Sequence, residues 1–316
     1  MSSVIEQAAK RLEELRRAGV EEPGDGVAAR EMSPTPEAAI LALEERADRG
    51  EHGWRKLAPR GDASGTTAEA SPSRHVDIDF ERLGARGFVT PDAVKSQIAD
   101  EFRIIKRPII RNALSPTATR VKNANLVMVT SALPGEGKTF TSLNLALSIA
   151  TEIDSTVLLV DGDVAHPSVP GLLGAPHGPG LLDLLTRDDL DFADALVKTN
   201  IEKLSLLPAG SRHRRSTELL ASEQMASLLR EIASRYRDRV IIFDSPPLLA
   251  TTEARVLASN MGQIVMVVAA DATSQHAVNQ ALATIEGCEI VLMVLNKASR
   301  TDVGTYYGYY ANDEAS

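Results

Sequence analysis

Cysteine is almost absent from this 316-residue chain. The single thiol, Cys288, cannot form an internal disulfide, which excludes a disulfide-stapled scaffold and points to a reducing cytoplasmic setting. Just ahead of an apolar run over 290–295, it reads as a buried structural thiol. No stretch approaches the roughly 18–20 consecutive apolar residues of a membrane-spanning helix, so no membrane span is expected. The opening MSSVIEQAAKRLEELRRAG is charged and helical rather than signal-like. Excess positive charge is missing too: 34 Lys and Arg against 43 Asp and Glu give a net charge of −9. That balance argues against a general nucleic-acid or anionic-membrane binder, though a local basic patch stays compatible with it. The six histidines show no metal-ligand spacing. Aromatics are scarce at 4%, yet four of the five tyrosines crowd into GTYYGYYANDEAS at 304–316. What is plentiful is apolar content, 43%, enough for a substantial core.

The first 75 residues read differently from the rest. Val4, Ile5, Ala8, Leu12 and Leu15 recur at helical spacing among charges, which describes an amphipathic helix with an apolar face to cover. EEPGDG, a second helical stretch PEAAILALEERADRG and the small polar run GDASGTTAEASPSRH follow, the last with linker composition. Residues 1–75 are therefore expected to form a helical and partly disordered extension, and Trp54 a local packing residue. A helical pattern runs through VKSQIADEFRIIKRPIIRNAL from residue 93. Beyond it come apolar runs at 126–130, 156–161, 204–208, 240–244, 263–270 and 290–296, rich in Val, Ile and Leu without alternation, as for strands buried on both faces. Helical segments are expected near 139–152, 216–237, 251–260 and 274–287. That rhythm predicts an α/β fold: a mostly parallel twisted sheet with helices on both faces and ligands at the strands' carboxyl ends. The division expected is 1–75 extension, 76–297 catalytic domain and 298–316 flexible tyrosine-rich tail.

The first strand runs directly into SALPGEGKT (131–139) and then into a helix. In that strand–loop–helix context, backbone N–H groups around Gly135 and Gly137 surround phosphates at the positive helix end. Lys138 would reach the β and γ phosphates of ATP, and Thr139 would ligate Mg²⁺. Pro134, Gly135, Glu136, Gly137, Lys138, Thr139 and Phe140 are the candidate nucleotide contacts. Ala132 stands where the usual motif has its first glycine. Two more strands end in carboxylates, at Asp161-Gly162-Asp163 and at Asp244, placing three of them on the edge where the loop emerges. Such groups position Mg²⁺ or accept a proton from an attacking hydroxyl. Tyr236 is expected to be structural.

The set SALPGEGKT, VLLVDGDVAHPS, VIIFDSPP and a terminal tyrosine cluster resembles the bacterial tyrosine kinases with Walker A, A′ and B motifs. Within that family, the text from DGDVAHPS to LNKASRTDVGTYYGYY is similar to the exosortase-associated tyrosine autokinases of exopolysaccharide clusters. The resemblance implies a P-loop NTPase-like fold and an ATP- and Mg²⁺-dependent kinase acting on its own tail at Tyr306, Tyr307, Tyr309 and Tyr310. It assigns Lys138 to phosphate, Asp161 to the base, and Thr139, Asp163 and Asp244 to Mg²⁺, with base and metal roles exchangeable. Asn296 would contact the base of the nucleotide. Where relatives carry Glu-x-x-Arg-x-x-Arg, this chain has Asp100, Arg103 and Lys106, implying a ring or head-to-tail homo-oligomer. A separate membrane chain-length or export protein is implied as activator, recruiting the chain to the inner face of the membrane. The arginine many relatives carry after the second A′ aspartate is replaced by Ala165 and His166.

Two other functions compete. A partitioning or septum-positioning ATPase shares the fold but carries an additional lysine where this chain has Leu133. A non-catalytic scaffold subunit of an export complex would have no use for Lys138 and three aspartates.

Overall fold

Runs of Val, Ile and Leu without alternation bury both faces only if helices cover both sides of the sheet, and the chain folds that way except in the edge strand at 291–296, where Met293 and Leu295 are exposed. The computed structural model describes residues 74–92, 96–114, 121–236 and 238–299. Eight strands, β1 (Arg74–Val76), β2 (Leu126–Ser131), β3 (Thr156–Asp161), β4 (Val197–Thr199), β5 (Leu204–Leu207), β6 (Arg239–Asp244), β7 (Gln263–Ala269) and β8 (Val291–Asn296), form one sheet. Their order is β1-β4-β5-β3-β6-β2-β7-β8, with every pair parallel except β4 and β5. The helices are α1 (Phe80–Ala85), α2 (Gln97–Leu114), α3 (Lys138–Ala150), α4 (Val169–Leu173), α5 (Leu181–Thr186), α6 (Phe192–Ala195), α7 (Ser216–Leu220), α8 (Glu223–Arg235), α9 (Thr252–Ala258) and α10 (Gln275–Ala283).

Strand β2 shows how the sequence pattern produces the layers. Successive side chains point to opposite faces. Leu126 and Met128 join one core with α5, α8, α9 and α10, while Val127 and Val129 join the other with α2 and α3. All four are fully buried. At the amino ends, Gln263 is buried and its amide donates to Ile109 O and Ala124 O while accepting from Asn112, fastening β7 to α2. Buried Asn125 likewise donates to Ala233 O at 3.1 Å, holding α8 to the sheet.

Several expectations need adjustment. The helix expected over 216–237 is two helices, because the Ser222 hydroxyl accepts from Met225 N and starts a new N-terminus. Short elements β1, β4, α1, α4, α5 and α6 carry too few residues for a periodic signal. The sheet begins at Arg74, so the boundary expected at residue 75 falls inside its first strand. Cys288 is half-buried rather than buried, packed against the core with burial pushing its thiol pKa up. Tyr236 is structural: its ring meets Phe192 at 6.1 Å and the Arg239 guanidinium at 4.5 Å. The amino-terminal helices, Trp54 and the tail tyrosines lie outside the described residues.

Lys106 departs from its expected role. Its ammonium is buried, donating to Ser148 O at 2.6 Å and pairing with Glu152 at 2.8 Å, so it clamps α2 onto the end of α3 within this chain. Asp100 is exposed and Arg103 half-buried, and the two pair with each other. Replacing Lys106 with Met should cost about 1–3 kcal/mol, because the charge-assisted bonds vanish and the Glu152 carboxylate loses its partner. A urea midpoint shifted by that amount, with subunit association unchanged, is the expected result. Unchanged stability with lost association would return Lys106 to the interface.

Candidate functional site: a phosphate loop facing two buried carboxylates

The loop between β2 and α3 is held in its cradle shape from three sides. Gly135 and Gly137 take φ of 82° and 101°, a left-handed conformation that side-chain-bearing residues rarely adopt. A Cβ on Gly137 would also collide with the Asn296 amide. From β8, Asn296 donates to Glu136 O at 2.8 Å, and Lys297, itself at φ 60°, donates to Gly135 O at 2.7 Å. The Glu136 side chain turns inward and is buried, accepting from Leu133 N at 2.6 Å and from the Thr273 hydroxyl. Glu136 and Asn296 were both expected to touch the nucleotide. In this structure the Glu136 carboxylate and the Asn296 amide donor brace the loop. A Gly137→Ala change should therefore cost about 1–3 kcal/mol of strain and clash and weaken nucleotide binding in a thermal-shift titration.

Lys138 opens α3, half-buried, and its ammonium has no hydrogen bond or ion pair among the described residues. Thr139 Oγ1 lies 3.4 Å from Ser168 Oγ. The Phe140 ring lies 5.1 Å from Phe88 and 6.5 Å from Phe102. Together with Asn296 it borders a groove of about 520 Å³ between α2 and β8.

Sheet register brings the carboxylates together. Asp161 on β3 lies directly opposite Asp244 on β6, and β6 neighbours β2, which feeds the loop. Asp161 Oδ2 accepts from Ser168 N at 3.0 Å and Val169 N at 3.1 Å, while its Oδ1 is buried with no partner. Neither oxygen of Asp244 has a hydrogen-bond partner among the described residues. Burial, with the nearby charge of Asp244, pushes the Asp161 pKa up to about 7. Burial also raises Asp244 to about 6, opposed by the nearby Thr139 and Ser142 hydroxyls and the Lys138 charge, although Ser142 Oγ itself donates to Thr139 O. Asp163 is more exposed and one of its oxygens accepts from His166 N at 3.1 Å. His166 projects into solvent.

Three orphan carboxylate oxygens in a buried polar spot beside a phosphate loop fit a hydrated divalent cation, since unpaired buried acceptors are costly without one. Among the described residues no cluster of three His, Cys, Asp or Glu could hold a metal alone. Thr139 and Asp244 would thus share such an ion with phosphate oxygens and water, with Asp163 at most through water. Ser168 and Ser142 were not singled out from sequence. Their place depends on where α4 and α3 pack, which no local spacing encodes.

A glycine-held loop on a parallel sheet, opening a helix opposite strand-end aspartates, defines a P-loop nucleotide-binding α/β domain. Residues 124–295 accordingly match the AAA_31 family, described as an AAA domain. The chain is 30% identical over 224 residues to the Staphylococcus aureus protein named "Putative tyrosine-protein kinase CapB", a match spanning 70% of this chain and 94% of that protein. It is 28% identical over 230 residues to tyrosine-protein kinase YwqD of Bacillus subtilis (strain 168), spanning 72% and 93%. The crystal structure of the chimerical protein CapA2B2 superposes with a TM-score of 0.58 at 27% identity, covering 72% of this chain and 95% of that one. The chain belongs to the bacterial tyrosine-protein kinase family. No helix among the described residues is long and apolar enough to cross a membrane.

Proposed function

We propose that this chain transfers the γ-phosphoryl group of ATP to tyrosine hydroxyls of its own tail, Tyr306, Tyr307, Tyr309 and Tyr310, and thereby regulates exopolysaccharide synthesis or export. The observation that carries this reading is the pairing of a free Lys138 in a formed phosphate loop with the orphan oxygens of Asp161 and Asp244. In the transfer, the tyrosine oxygen bonds to the γ-phosphorus as the bond to the β–γ bridging oxygen breaks, leaving ADP. A phenol with a pKa near ~10 needs help to attack at neutral pH. Asp161 supplies it: one oxygen is fixed by two backbone N–H groups, and the free Oδ1, with a pKa near 7, accepts the phenolic proton. Lys138 binds the charge developing on the transferred group. Thr139 and Asp244 would hold Mg²⁺, which would supply charge neutralisation at the phosphates.

Asp100 and Arg103 on α2 are the surface we assign to head-to-tail association, which would present one subunit's tail to the next. A membrane protein of the export machinery would serve as activator. Transfer of labelled γ-phosphate into the full chain tests the proposal. Removing residues 306–310 should abolish incorporation while leaving ATP binding intact. ATP hydrolysis without any phosphotyrosine would instead indicate an ATPase of the same fold.

A further inference from the structure

Arg212, His213, Arg214 and Arg215 form a basic run in a chain of net charge −9. All four residues are exposed, and none of the three arginines makes an ion pair among the described residues. Adjacent like charges without counter-ions attract an anion. The loop that carries them is anchored at its base. Buried Asp183 accepts from Gly180 N and from Ser211 N, both at 2.9 Å, and Gly210 turns the chain at φ 87°. Leu181 N and Leu182 N donate to Pro208 O and Ala209 O at 2.8 and 3.0 Å, tying α5 to the same stem.

Position then narrows the choice of anion. Strand β5 lies beside β3, with Leu207 opposite Val160, so the run begins five residues beyond the neighbour of the strand that ends in Asp161. Strand β8, which precedes the tail in sequence, ends at the same edge of the sheet, because β5, β3, β6, β2, β7 and β8 all run parallel. Five strand spacings separate β5 from β8, roughly 24 Å at ~4.8 Å each. From Ser299, an extended chain spans at most about 25 Å to Tyr306 and about 36–40 Å to Tyr309 and Tyr310. An extended segment of that length is therefore long enough for Tyr309 and Tyr310 to cross from β8 to β5, with the strands that lead to the phosphate loop and Asp161 lying between. Residues 301–316 hold Asp302, Asp313 and Glu314 and no Lys or Arg. Each phosphate adds about −1.5 to −2 charges and three strong acceptors.

We propose that Arg212, Arg214 and Arg215 form a docking site for the phosphorylated tail of this chain, taking phosphotyrosine 309 or 310 once it has left Asp161. This rests on the tail being the kinase's product. Guanidinium groups suit the task, since each can bind phosphate through two parallel N–H bonds. Docking would hold modified tyrosines off the active site and remove them from any neighbouring subunit.

The test uses the full-length chain with all four tail tyrosines changed to Phe, and a synthetic fluorescent peptide of residues 300–316 made with phosphotyrosine at 309 and 310. Because the phosphate is installed chemically, the readout does not depend on the chain being a kinase, which the labelled-phosphate assay decides separately. In fluorescence anisotropy the phosphopeptide should bind at least tenfold tighter than its unphosphorylated form, and less tightly as salt rises. Changing Arg212, Arg214 and Arg215 together to Gln should remove that advantage without altering the melting temperature or ATP affinity. The same changes to Lys should restore part of it. Equal binding of both peptides, or a phosphopeptide preference untouched by the Gln substitutions, would overturn the proposal. So would ATP binding lost with the arginines, or capture of phosphatidylglycerol vesicles by the run without the phosphopeptide.

Discussion

Replacing Lys138 with Met is expected to reduce phosphotyrosine formation by at least about a hundredfold, the scale on which single donors to developing transition-state charge act. Its ammonium holds no other group in place among the described residues, so the loss belongs to chemistry rather than to folding. Methionine preserves most of the stem's volume and keeps α3 intact. The electrostatic consequence extends one residue further. Lys138 is one of the groups that lower the Asp244 pKa, and without it that carboxylate should protonate more readily and hold a cation less well. Steady-state transfer measured against magnesium concentration should therefore show a lower plateau and a right-shifted midpoint. A variant that retained wild-type transfer would mean that the loop does not bind the reacting phosphates as described.

The second large effect is on stability, in the absence of nucleotide and metal. Folding raises the pKa of Asp161 to about 7 and of Asp244 to about 6, both above the ordinary carboxylate value of 3.8. The folded state therefore binds more protons than the unfolded one between about pH 4 and 7. These two groups cost nothing below about pH 4, and their penalty grows as pH rises through the interval until it is complete above about pH 7. The penalty is on the order of 4 kcal/mol for Asp161 and about 3 kcal/mol for Asp244. Asp244→Asn removes one of them and should raise the melting temperature of the apo protein at pH 8 by roughly 6–12 °C. The gap between variant and wild type should open between about pH 4 and 6 and stay constant above pH 7. Differential scanning calorimetry across that range checks it. A variant less stable than wild type at pH 8 would show that Asp244 is compensated by a partner in the folded chain.

Much of this arrangement is legible in the sequence because its signals are local. Strand β2, the loop with Gly135 and Gly137 and helix α3 follow one another without a break, and each imposes its own residue types. The parallel sheet is equally readable, since a strand such as β6 buries both faces and so loses alternation. Side-chain direction is not readable in that way. Glu136 and Asn296 sit at positions that suggest ligand contact, and both also brace the loop; apart from Leu133, their partners lie 133 to 160 residues away. Lys106 falls at interface spacing on α2, but its ammonium is taken by Ser148 on the neighbouring helix and by Glu152 just past that helix's end. The orphan oxygens of Asp161 and Asp244 follow from sheet register, which brings two strands 83 residues apart into direct opposition. Motif and periodicity thus locate the site, while long-range packing decides which of its groups remain free to act.

The claim that the phosphate loop serves the tail is tested most directly by tandem mass spectrometry of the full chain after incubation with ATP and magnesium. The account predicts phosphate on one or more of Tyr306, Tyr307, Tyr309 and Tyr310, and none in the Lys138→Met protein. Production of ADP with those four tyrosines unmodified would contradict it.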